Sequence, residues 1–157
     1  INRIRFAIEA LEAMAGAIGA DRVGFRVAPG NPYNDMPDDD PAASFGPLLE
    51  EADRLGLAYL HVVDMSRDGF DALALVRAHW QGALIVNNNL TLESAEAVLE
   101  SGVADAVSFG RPFIANPDLV ARLAGGHPLA QPNRATLYAG DHQGYTDYPA
   151  LDAAGVS

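Results

Sequence analysis

Between positions 4 and 18 the apolar residues Ile4, Ile8, Leu11, Ala15 and Ile18 are spaced by four, three, four and three. That spacing lays one apolar stripe along a helix, so an amphipathic helix is predicted over 4–18, ending near Gly19. Val23 to Ala28 follows as a strand. A second helix is predicted from about Pro47 to Leu55 with Gly56 as its stop, leading into a strand from Leu57 to Val63. Phe70 to Trp80 reads as a third helix, with Leu73, Val76 and Trp80 on one face. The strand Ala83 to Val86 comes next, then a helix from Leu92 to Glu100 ended by Ser101-Gly102, then a last strand from Ala104 to Phe109. Asn116-Pro117 predicts a further helix start, because asparagine caps well and proline at the first helical position forfeits no hydrogen bond.

Four strands alternating with helices, at intervals of roughly 20 to 35 residues, form the pattern of consecutive βα units and a parallel sheet. Such a sheet needs both faces covered, which a doubly wound sheet or a barrel would do. The two differ in where a phosphate loop falls. A doubly wound sheet of flavodoxin type is expected to carry it after the first strand, whereas an eight-stranded (β/α) barrel holds phosphate between the loops after strands seven and eight. Here the junction Gly110-Arg111 follows the last strand. A glycine lets a ligand approach main-chain N–H groups, and Arg111 offers phosphate a planar fork that is always charged. Taken alone, the pair reads better as a turn followed by a solvated charge. Its position selects the barrel: Asn87 to Asn89 and Gly110-Arg111 become those two loops if the chain is a second half-barrel.

Composition narrows the chemistry. The 157 residues fit one domain, 1–157, with 49% hydrophobic and 20% charged residues. Ten basic against 21 acidic residues give a net charge of −11, which argues against a nucleic acid or an anionic membrane as partner and makes Arg111 a local positive point. There is no cysteine, so disulfides, thiolate metal sites and a cysteine nucleophile are excluded, and a cytoplasmic location is expected. No apolar run approaches the roughly 18 residues that span a bilayer. Pro29 to Pro41 is a long loop whose Asp38-Asp39-Asp40 run resembles a metal site, but three consecutive carboxylates do not point one way, so a solvated acidic loop is expected. The histidines His61, His79, His127 and His142 lack ligand spacing, so no metal is expected, and His61, inside a strand, reads as a packed, hydrogen-bonded side chain. The chain opens at Ile1 without methionine or a signal pattern and enters a helix almost at once, as a start inside a domain would.

Four segments carry a resemblance: Asn2-Arg3-Ile4-Arg5-Phe6; Arg26-Val27-Ala28-Pro29; Ser108 to Leu119, which reads Ser-Phe-Gly-Arg-Pro-Phe-Ile-Ala-Asn-Pro-Asp-Leu; and Gly144-Tyr145-Thr146-Asp147-Tyr148-Pro149. In this order they resemble the Old Yellow Enzyme family of flavin-dependent ene-reductases. The resemblance implies an α/β fold, the C-terminal half of a (β/α)8 TIM barrel with four parallel strands, five to eight, and outer helices. It implies FMN at the C-terminal ends of those strands and NAD(P)H as reductant. Arg26 matches the arginine against the flavin N1/O2 edge, and Gly110 and Arg111 match the phosphate-binding pair. Asn88 and Asn89 fall on the other phosphate loop, where the family usually has glycine at the position of Asn88. Asn34 falls on a residue lining the substrate pocket, and Tyr138 on a tyrosine reaching over the flavin toward substrate, the one catalytic candidate. A packed core tyrosine is the alternative for Tyr138. Tyr145, Asp147 and Tyr148 are expected to fix the C-terminal segment.

Two functions of different class follow. In the first, the chain is the C-terminal part of an oxidoreductase passing hydride from NAD(P)H through flavin N5 to the activated C=C bond of an enone, maleimide or nitroalkene. The family's substrate-orienting histidine pair and proton-donating tyrosine belong to its first half, so the chain alone is expected to be inactive. In the second, it is a half-barrel that only folds, dimerises or binds phosphate. Either way the partners expected are a small-molecule substrate and the missing N-terminal half-barrel or a second copy. A phosphate-binding aldolase or isomerase barrel fits less well, since no lysine stands at a strand end.

Overall fold

A computed structural model describes residues 2–35, 37–138 and 141–151. The chain gathers into two compact units, Ile1–Ser108 and Phe109–Ser157.

The first unit opens with α1 (Asn2–Ile18), stopped by Gly19 at φ 95°, and a 3-10 turn at Ala20–Arg22. The elements β1 (Gly24–Val27), α2 (Pro41–Arg54), β2 (Tyr59–Val63), α3 (Ala72–His79), β3 (Leu84–Asn87), α4 (Leu92–Glu100) and β4 (Ala106–Ser108) follow. The strands form one sheet in the order β1-β2-β3-β4, with every pairing parallel. The predicted alternation therefore holds for all four strands, with ends displaced by at most two residues. Asn87, assigned from sequence to a loop, closes β3 by pairing with Ser108.

Successive side chains of a strand point to opposite faces, so the register sorts the sheet into two surfaces. Val27, Leu60, Val62, Leu84 and Val86 are buried on one face against Leu11 of α1, Leu49 and Ala52 of α2, and Val76 of α3. Trp80 joins them, meeting Phe25 edge to face at 5.9 Å and donating its indole N–H to the Ala83 carbonyl at 3.1 Å. Burial of each large side chain contributes about 2 kcal/mol, so this apolar layer is the main support of the unit. Arg26, His61, Asn87 and Ser108 fall on the other face. At the N-terminal end of the sheet Asp105 accepts the Leu84 N–H at 2.8 Å and pairs with Arg77 at 3.2 Å. Those two contacts, the Leu84 bond first, hold its carboxyl below the usual range.

Helix α2 starts six residues before the predicted Pro47. Asp40 caps it by accepting the Ala43 N–H at 3.0 Å, and Pro41 occupies the first turn, so Pro47 lies inside the helix. Two prolines carried the same start signal, and the true start is the one with an acidic cap before it. The acidic loop is thus partly a capping device, since Asp38 in turn accepts the Asp40 N–H at 3.0 Å.

The second unit holds α5 (Arg111–Ala115), α6 (Leu119–Gly125) and a 3-10 turn at Arg134–Thr136. Asn116 does not start a helix here, contrary to the sequence expectation: Asp118 precedes α6, and Asn116 ends α5. It is fully buried, donating to the carbonyls of Pro112 at 2.8 Å and Ala130 at 3.0 Å while accepting the Ala130 N–H at 2.8 Å. With its side chain committed to the 128–130 segment, α6 begins later, at Leu119. Buried Arg122 pairs with Asp118 at 2.7 Å and donates to the carbonyls of Pro128 and Pro149, binding the C-terminal segment. Tyr148 adds a hydroxyl that accepts the Asn133 N–H at 2.7 Å, and Asp147 accepts the Gly144 N–H at 2.7 Å, whereas Tyr145 is 77% exposed.

Candidate functional site

Four side chains from four strands are linked across the face turned away from the helices. Arg26 of β1 donates through Nη2 to Asn87 Oδ1 of β3 at 3.2 Å. Asn87 Nδ2 donates to the Ser108 carbonyl at 2.8 Å and to Ser108 Oγ at 3.0 Å. Ser108 Oγ lies 2.9 Å from His61 Nε2 of β2. A guanidinium only donates and a carbonyl only accepts, so the Asn87 amide can point one way alone. Burial, and then the charge of Arg26, hold the His61 imidazole below its ordinary value of 6.5, so it is neutral at physiological pH. Arg26 remains exposed, and most of its five N–H donors stay open to an electron-rich ligand edge.

At the C-terminal end of β3 the chain turns sharply through two residues at positive φ, Asn88 at 106° and Asn89 at 50°. Glycine adopts such angles at little cost, and asparagine tolerates them better than most residues. Asn88 is also held by its own amide, which donates to the Asp64 carbonyl at 2.7 Å and lies 3.6 Å from Met65 Sδ. The loop that resembles a glycine turn thus keeps its conformation with asparagine, through a bond to the segment after β2. The ends of β1 and β3 are brought together by Arg26 and Asn87. Asn34 makes no hydrogen bond to this network; it sits exposed in the β1–α2 loop at φ 60°.

In the second unit Gly110 precedes α5 at φ −95°, an angle open to any residue, and a Cβ added there would meet nothing within 4 Å. Packing does not require glycine at 110, since a side chain there would enter open space. Arg111 next to it is exposed. Tyr138 is fully exposed and is no core side chain. Among the described residues no cluster of three or more His, Asp or Glu side chains could hold a metal ion. Sequence reading missed Asn87 and Ser108 as parts of the site. Strand alternation marks which side of a strand they take, but only the register shows that they share a face with Arg26 and His61.

Residues 1–130 match the model of the NADH:flavin oxidoreductase / NADH oxidase family. The chain is 41% identical over 152 residues to a probable flavin mononucleotide-dependent alkene reductase of Leishmania infantum, covering 96% of this chain and 42% of that protein. It is similar in structure to the old yellow enzyme of Trypanosoma cruzi, with TM-score 0.88 and 36% identity over 94% of this chain and 40% of that one. The old yellow enzyme homologue of Zymomonas mobilis gives TM-score 0.89 and 35% identity, over 96% and 44% of the two chains. The four parallel strands and their helices are accordingly part of a (β/α) barrel, and the chain spans about 42% of the length of the curated relatives it matches. With the family model matched over most of its length, the chain belongs to the NADH:flavin oxidoreductase / NADH oxidase family.

Proposed function

We propose that this chain is the FMN-binding C-terminal part of an NAD(P)H-dependent reductase of activated alkenes. FMN, when bound, would supply the hydride-transfer chemistry between reduced nicotinamide and the C=C bond of an enone, maleimide or nitroalkene. The observation that carries this reading is the exposed Arg26 guanidinium on the polar sheet face, fixed beside the positive-φ turn of Asn88 and Asn89, in a chain of this family.

The residues have distinct tasks. Arg26 holds the electron-rich edge of the flavin ring by charge and hydrogen bonding. Asn88 and Asn89 offer backbone N–H groups to phosphate, Gly110 leaves its main chain open to a phosphate oxygen, and Arg111 neutralises the phosphate charge. In this reading Asn34 and Tyr138 each contribute to substrate binding, Tyr138 through its hydroxyl. Groups polarising the substrate and delivering its proton lie outside these 157 residues, so the chain by itself is inactive and works with a complementary half-barrel or a second copy. The acidic, cysteine-free composition goes with a cytoplasmic setting.

The test is FMN titration of the protein extended to the length of its relatives, monitored by flavin fluorescence. Replacing Arg111→Ala removes a charge-assisted pair, and FMN affinity is expected to fall by roughly ten- to a hundred-fold. Unchanged affinity overturns the assignment of Arg111.

A further inference from the structure

The side chains of Asn87, Ser108 and His61 have no part in the function proposed above, yet they form one chain of hydrogen bonds that ends on Arg26. We propose that Asn87 is a positioning residue for the Arg26 guanidinium, itself held by Ser108 and His61, and that this relay sets the reduction potential of the bound flavin. The inference rests on the reading of Arg26 as the residue at the flavin edge.

A long arginine on an exposed sheet face has many rotamers, and holding one of them requires a partner with a fixed acceptor. Asn87 is that partner at 3.2 Å. Its amide cannot flip, because Nδ2 is engaged by two oxygens of one residue, the Ser108 carbonyl and hydroxyl. The hydroxyl is located in turn by His61 Nε2 at 2.9 Å. The relay crosses all four strands, with one member from each, so the orientation of Arg26 is tied to the strand register and not to a mobile loop. Asn87 is neutral. It fixes the guanidinium without cancelling its charge, as an aspartate in its place would. A cation held at the ring edge stabilises the extra negative charge of the reduced ring more than a wandering one does, which raises the potential.

The experiment measures the midpoint potential of FMN in the full-length, FMN-loaded protein and in the variants Arg26→Gln, Asn87→Ala and Ser108→Ala, with FMN affinity and melting temperature recorded for each. The potential is expected to fall in all three, most in Arg26→Gln, less in Asn87→Ala and least in Ser108→Ala, which keeps the backbone carbonyl. For Asn87→Ala the fall corresponds to about ten-fold weaker relative binding of reduced flavin, or about 30 mV for a two-electron couple. If Arg26→Gln lowers the potential while Asn87→Ala and Ser108→Ala keep the wild-type value, even with lower melting temperatures, Asn87 is structural and the inference is overturned. If Arg26→Gln itself has no effect, the placement of Arg26 at the flavin edge fails, and the inference with it. Should Asn87→Ala not fold, Ser108→Ala decides between the same outcomes.

Discussion

His61 illustrates how a single residue is read by its neighbours. Ser108 Oγ accepts from Asn87 Nδ2 and stands 2.9 Å from His61 Nε2, which accepts the hydroxyl proton in one neutral tautomer of the ring and donates to the hydroxyl in the other. Nitrogen NMR shifts of labelled protein distinguish the two tautomers of His61 directly. The direction of its shift also fixes a pH dependence. Because the folded state lowers the pKa from 6.5, the unfolded state binds the extra proton first as pH falls. His61 therefore destabilises the fold progressively below pH 6.5, down through its folded pKa, and contributes no such penalty above it. Wild type should lose stability relative to His61→Gln as pH is lowered through this range in urea titrations. A difference that stays constant with pH, or that favours wild type at low pH, goes against it.

At the scale of elements, caps and buried amides decided where helices begin. Asp40 satisfies an N–H of the first turn of α2, and Asp40→Ala is expected to cost about 1 kcal/mol in denaturant unfolding. Asn116→Ala should cost more, about 3 kcal/mol, since it removes all three hydrogen bonds of a fully buried amide. A loss below about 1 kcal/mol would show that water replaces the amide in full. These two residues also mark the limit of what sequence makes legible. The apolar pattern located every strand to within two residues at each end, and the helix Leu92–Glu100 to the residue, because a run or stripe of apolar positions is a local property. The role of Asn116 is not local: its partners stand four and 14 residues away, and an Asn-Pro pair reads the same whether its amide caps a helix or is buried. In the candidate site, Gly110-Arg111 was legible by its place after the last strand, and Arg26 only through the family resemblance. The relay through Asn87 and Ser108 was not, since residues 61 positions apart become neighbours only through the sheet register.

For the whole molecule, the sheet has one face packed with apolar side chains and another carrying Arg26, His61, Asn87 and Ser108. Among the described residues β1 and β4 have no strand beyond them, and the chain spans about 42% of its relatives' length. On the function proposed, the cofactor contacts of the flavin site lie on this chain and its acid and substrate-polarising groups on the rest of the protein. Small losses of geometry in such a site cause large losses of rate, so a partial assembly is expected to be far less active than the complete one. The most direct measurement is turnover with added FMN and NADPH on a maleimide or enone, comparing the isolated 157-residue chain with the protein extended to its relatives' length. The account predicts a yellow, active extended protein and negligible turnover by the isolated chain, restored when the complementary half is supplied covalently or in trans. Sustained turnover by the isolated chain at the rate of the extended protein, or an extended protein that retains no flavin, contradicts it.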